Sequence, residues 1–129
     1  MTSGAMRTAM MTNIFADMQS VAMMVDEDDG TITGWMKGND DGLQLAAIAW
    51  LRNYPAAMPP SAYIDLIERA TQPFVQYWGL RALSGRISAL GLQEISIADR
   101  IALKELESLI RPGSDSQVQI RRINRELSR

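Results

Sequence analysis

Three sets of residues have the types and spacing that chemistry would need. Asp26-Glu27-Asp28-Asp29-Gly30-Thr31-Ile32-Thr33 sets four acids ahead of a glycine, the opening of an oxygen-rich calcium loop. Such a loop draws ligands from its first, third and fifth positions, turns on a glycine at the sixth and closes with a bidentate acid at the twelfth. With Gly30 at the sixth position, Val25 takes the first and Met36 the twelfth, so both end ligands are missing. Arg121, Arg122, Arg125 and Arg129 form the second set, at helical steps on one side of a final helix. Their guanidinium forks suit phosphate or carboxylate, in nucleic acid or in an acidic partner. Asp65 and Glu68, beside apolar helix surface, are the acids a carboxylate-based enzyme would use, provided burial shifts them.

Composition removes most other chemistry. The chain has no cysteine and no histidine. Disulfides, thiol nucleophiles, imidazole bases and the usual zinc sites are therefore impossible. No catalytic motif stands among the remaining residue types, so the expectation is a protein that is not an enzyme and carries no metal or cofactor. No apolar run approaches the roughly 20 residues needed to span a membrane. The first residues lack the basic start and cleavage site of a secretory signal, which points to the cytoplasm.

Charge is unevenly spread. Residues 1–42 carry two basic and seven acidic side chains, and residues 111–129 carry five arginines against Asp115 and Glu126. The whole chain is nonetheless acidic, with net charge −2. That balance argues against nucleic acid, whose partners show a domain-wide basic footprint. Arginine outnumbers lysine by eleven to two.

These residues must be positioned by helices. Met11, Ile14, Phe15, Met18, Val21, Ala22 and Val25 recur at helical spacing, and six of the nine methionines lie between Met6 and Met24. Such a stripe either packs inward or offers an adaptable partner face, with Met11, Phe15 and Met18 as its candidate contacts. Residues 26–42 read as an acidic, glycine-rich loop with one turn or short helix around Trp35, which could tuck back or anchor a partner. Asn39, Asp40 and Asp41 offer caps for a helix from Gly42 to Tyr54. Pro59-Pro60-Ser61 opens the next, with Tyr63, Ile64, Leu66, Ile67 and Ala70 facing inward. Thr71 precedes Pro73 as the expected cap of a central helix over residues 73–90, which carries two adjacent apolar stripes. Ser96 and Asp99 form a capping box before a helix whose expected buried stripe is Ala98, Ile101, Ala102, Leu106 and Leu109. Ser114 begins the last helix, with Val118, Ile120, Ile123 and Leu127 on its inner side.

The central pattern is echoed. At an offset of 32, Leu43, Leu45, Ile48 and Leu51 align with Val75, Tyr77, Leu80 and Leu83, and at an offset of 43 Val118, Ile120 and Ile123 align with Val75, Tyr77 and Leu80. Stacked helical hairpins produce such self-similarity, because each hides its apolar face against the next. The run PFVQYWGLRAL resembles the HEAT/armadillo class, and the resemblance covers residues 42–128. The expected fold is all-α, with about six helices in one domain over residues 1–129: a short stack of hairpins, or an irregular helical bundle, with the hairpins over residues 43–129. A non-catalytic protein–protein interaction, adaptor or regulatory role follows, through another protein or self-association. A nucleic-acid-binding protein using the C-terminal arginine face and a calcium-responsive module are the alternatives.

Overall fold

The computed structural model describes residues 30–128. Six α-helices carry the described chain: α1 Thr31–Lys37, α2 Asp41–Asn53, α3 Pro60–Arg69, α4 Pro73–Leu90, α5 Ile97–Leu109 and α6 Asp115–Leu127, with a 3-10 turn at Leu92–Glu94. No strand occurs among the described residues, and no helix there is long and apolar enough to cross a membrane. The all-α expectation holds.

The packing is ordered. Helix α1 pairs with α2, α3 with α4, and α5 with α6. The hairpins then stack so that α3 touches α1 and α5 in one layer, while α4 touches α2 and α6 in the other. The three self-similar segments are thus the second-layer helices α2, α4 and α6. The first hairpin starts earlier than residue 43, because the short helix expected around Trp35 is α1 and pairs with α2. Its Ile32 and Met36 are buried in the common core. Trp35 is half-buried against that core.

Helix α4 is central because of what it can bury. Leu80 and Leu83 are wholly inside, and Val75, Trp78, Gly79 and Ala82 are buried beside them. Gly79 lets α3 come close, with Ile67 and Leu66 side chains directly over it. Each buried aliphatic side chain of this kind contributes about 1.5–3 kcal/mol. The helix runs through Gly85 without interruption.

Local signals set the helix ends. The Asp40 side chain accepts from Leu43 N at 2.9 Å and starts α2. Ser96 and Asp99 form the expected reciprocal box at α5. The Ser114 hydroxyl accepts from Gln117 N at 3.2 Å. Thr71 departs from expectation. Gln72 is the cap residue of α4 and makes no side-chain cap bond, while the Thr71 hydroxyl donates to Asp41 Oδ1 at 3.4 Å. Pro73 at the first helical position needs no partner for a missing N–H, so α4 can start without a side-chain cap.

Two inner faces also differ from the pattern. On α5 the buried residues are Leu103 and Leu106, followed by Ile110, whereas Ile101 is 54% and Leu109 80% exposed. On α6 Val118 is exposed and Asn124 buried. Polar contacts explain both rotations. Asn124 Nδ2 donates to Leu103 O at 3.2 Å, and Arg100 Nη1 donates to Leu127 O at 3.0 Å. Both bonds tie α5 to α6 in the rotation that buries Leu103 and Leu106.

Candidate functional site

Arginines divide by task. Arg69 donates to the carbonyls of Met36, Lys37 and Gly38, gathering the C-terminal end of α1 onto α3. Arg100 does the same for Leu127 and Leu92. Arg86, only 4% exposed, donates through Nε to Met58 O at 3.0 Å and holds the α2–α3 connection. A planar fork reaches several carbonyls at once, which an ammonium cannot. This use accounts for part of the arginine excess.

Three other arginines face a shared groove on the outer surface of the second layer. Its floor is α4, which presents Ser84, Gly85 and Ser88. Helix α6 supplies Gln119 and Arg122 on one side, and Arg52 from α2 stands with Arg81 on the other. This middle stretch has a volume of about 330 Å³. It continues toward Leu92, Ile123 and Glu126 as a cleft of about 390 Å³, and toward Leu51, Pro55 and Arg86 as one of about 170 Å³. Glu126 is the one acid among the described lining residues.

Aromatic rings fix the arginine heads. The Arg52 guanidinium lies 5.1 Å from the Trp78 ring centroid, and that of Arg81 lies 5.3 Å from the same centroid. Arg81 also donates to Tyr77 Oη at 3.1 Å. Desolvation, and after it the charge of Arg81, holds Arg52 below its ordinary value, with Tyr77 acting the other way. Beneath them the Arg86 charge lies near Tyr63. Burial pushes the Tyr63 phenol up to about 12, although Arg86 pulls it down. Tyr63 keeps its proton and donates it to Pro55 O at 3.0 Å.

The residues singled out by sequence are scattered. Arg121 reaches back to Glu107 at 3.9 Å, Arg122 faces the groove, and Arg125 is exposed. Arg129, Met11, Phe15 and Met18 lie outside the described residues, as do Asp26 to Asp29. Thr31 to Lys37 is helical and Met36 buried, so the second half of the acidic run does not wrap as a calcium loop would. Asp65 and Glu68 are both exposed, and Asp65 pairs with Arg69 at 3.0 Å. Neither has the burial that an acid–base catalyst uses. Arg52, Arg81, Ser84 and Ser88 were not signalled by any motif. A trace of them exists in the spacing of Arg81, Ser84 and Ser88, a polar strip opposite the apolar stripes of α4.

No family model, curated protein or solved structure matches the chain.

Proposed function

We propose that the protein is a non-catalytic interaction module of the HEAT/armadillo type, which takes an acidic segment of a partner protein along the α4 groove. One observation carries this reading: Arg52, Arg81 and Arg122 line the groove with two serine hydroxyls between them, and among the described lining residues the one carboxylate, Glu126, stands at one end. Hydroxyls and guanidinium forks are donors for carboxylate oxygens, and a floor of small residues admits an extended backbone. The alternation of layers supports the family resemblance, because the stacked second-layer helices present one continuous outer surface. The net acidic charge favours a short acidic segment over a nucleic-acid duplex.

Binding of a labelled glutamate-rich peptide, read by fluorescence anisotropy at low and moderate salt, tests the proposal. Affinity is expected to fall about tenfold or more in Arg122→Glu and Arg81→Glu, since like-charge contacts oppose binding by several kcal/mol. Equal affinity in wild type and both variants would sink it. So would a single-stranded oligonucleotide that binds the same arginines more tightly than the peptide.

A further inference from the structure

The lining of the groove changes along its length. At the α2 end, Arg52 and Arg81 stand over the Trp78 ring, 5.1 and 5.3 Å from its centroid. Over α4 the lining is Ser84, Ser88 and Arg122. At the α6 end it turns apolar, with Ile87 and Leu92 only partly buried beside Ile123 in the cleft of about 390 Å³. A ligand that fits this order carries acids at one end and an apolar stripe after them.

Residues 11–29 of this chain have that order. Asp26, Glu27, Asp28 and Asp29 directly precede Gly30, and the stripe of Met11, Ile14, Phe15 and Met18 comes before them. Residues 1–29 carry five acidic side chains against one basic, Arg7. Reach agrees as well. Gly30 caps α1, and α1 pairs with α2, the helix that supplies Arg52. Five Cα steps separate Val25 from Gly30, at most about 18 Å, and neighbouring helix axes lie about 8–10 Å apart. The acidic run is therefore long enough to pass round α2 to the arginines. Read as the helix its spacing predicts, residues 11–25 measure about 22 Å. Two helix spacings, from α2 across α4 to α6, come to about 16–20 Å. Methionine, unbranched and polarizable, suits an irregular cleft.

Resting on the acidic-segment reading above, we propose that the groove is held by the chain's own N-terminal segment. Asp26–Asp29 lie against Arg52 and Arg81, and the Met11–Met18 stripe lies in the cleft of Ile87, Leu92 and Ile123. A partner's acidic segment must displace it. A short tether gives an effective concentration in the millimolar range, so a free peptide competes at a disadvantage. Apparent affinity for the partner falls with the fraction of time the groove is open.

Two measurements on the full chain test this. The first titrates the labelled glutamate-rich peptide into wild type, the combined variant Asp26→Asn, Glu27→Gln, Asp28→Asn, Asp29→Asn, and Met18→Gln. The combined variant is expected to bind about tenfold more tightly than wild type, as when the segment closes the groove about nine-tenths of the time. Met18→Gln should tighten binding by a smaller factor, and it leaves the charge unchanged, so long-range attraction cannot explain its gain. The second measurement exploits a chain without cysteine. A spin label on Ser20→Cys should broaden the amide signals of Ser84, Ser88 and Arg122 far more than those of α3. In a mixture of isotope-labelled chains with separate spin-labelled chains the broadening should vanish, as contact within one molecule demands. Equal, measurable peptide affinity in all three proteins overturns the self-held groove and leaves the acidic groove standing. Groove broadening without peptide binding to any protein upholds the segment's place and sinks the partner reading. Absence of both overturns both. Broadening that centres on α3, or that survives in the mixture, overturns the placement.

Discussion

Gly79 on α4 and Ile67 on α3 meet so closely that a Cβ on the glycine would stand 2.8 Å from Ile67 Cγ1. Ile67 is itself wholly buried, with Tyr63 and Leu66 of the same helix buried beside it. Gly79→Ala must therefore push α3 outward or force Ile67 off its rotamer. Overpacking of this kind costs about 1–3 kcal/mol, of which alanine's helix propensity offsets at most about 1. A Cβ on Gly85, six residues along the same helix, would meet nothing within 4 Å. Urea melts should show Gly79→Ala destabilised and Gly85→Ala stabilised by up to about 1 kcal/mol. Two shifts of the same sign would contradict the α3–α4 packing.

Arg69 fastens a helix of only seven residues. With Arg69→Ala the Met36, Lys37 and Gly38 carbonyls lose a charged donor, worth about 1.5–3 kcal/mol. Hydrogen exchange should quicken in α1 well before it does in α4. Arg69→Lys should recover only part, because one ammonium does not span three carbonyls. Equal acceleration throughout the chain would show that Arg69 does not act locally.

The rotation of α5 separates two apolar residues two positions apart. Leu103 is fully buried while Ile101 is more than half exposed. Leu103→Ala should cost about 2–5 kcal/mol, the range for large-to-small core changes. Ile101→Ala should stay within about 0.5 kcal/mol, as surface changes do. A larger loss at Ile101 would restore the stripe of Ile101 and Leu109 that spacing alone suggests.

Tyr63 makes stability depend on alkaline pH. Its folded value is raised to about 12 from an ordinary 10.0. Below pH 10 the phenol is neutral in both states and its contribution is fully present. Between pH 10 and 12 the unfolded chain gives up the proton first, so unfolding becomes easier as pH rises. The stability difference between wild type and Tyr63→Phe should be flat up to about pH 10 and shrink above it. A difference that stays constant to pH 12 would mean the phenol is not held neutral.

Helix existence was legible because Pro73, the Ser96–Asp99 box and the Ser114 cap are local signals that need no tertiary partner. Even the pairing into layers left its mark, in the three matching apolar patterns of α2, α4 and α6. Rotation was not legible on α5, since Ile97, Ile101 and Leu109 offer one apolar set and Leu103, Leu106 and Ile110 another. Long-range contacts select the second set, among them the bonds of Arg100 and Asn124 to carbonyls 27 and 21 residues away. The groove was hidden for a similar reason. Arg52, Arg81 and Arg122 come from three helices, and no linear spacing joins them. Arg121 and Arg122 look equivalent in sequence, yet a step of one residue sends the first to Glu107 and the second to the groove.

Trp78 lies under two cations while its indole is 6% exposed. A ring so placed feels the local field of both guanidiniums, and an anion settling between them would cancel much of that field. Removing either charge, as in Arg81→Gln, is thus expected to move the colour of the emission that Trp78 contributes, a change readable with no label attached.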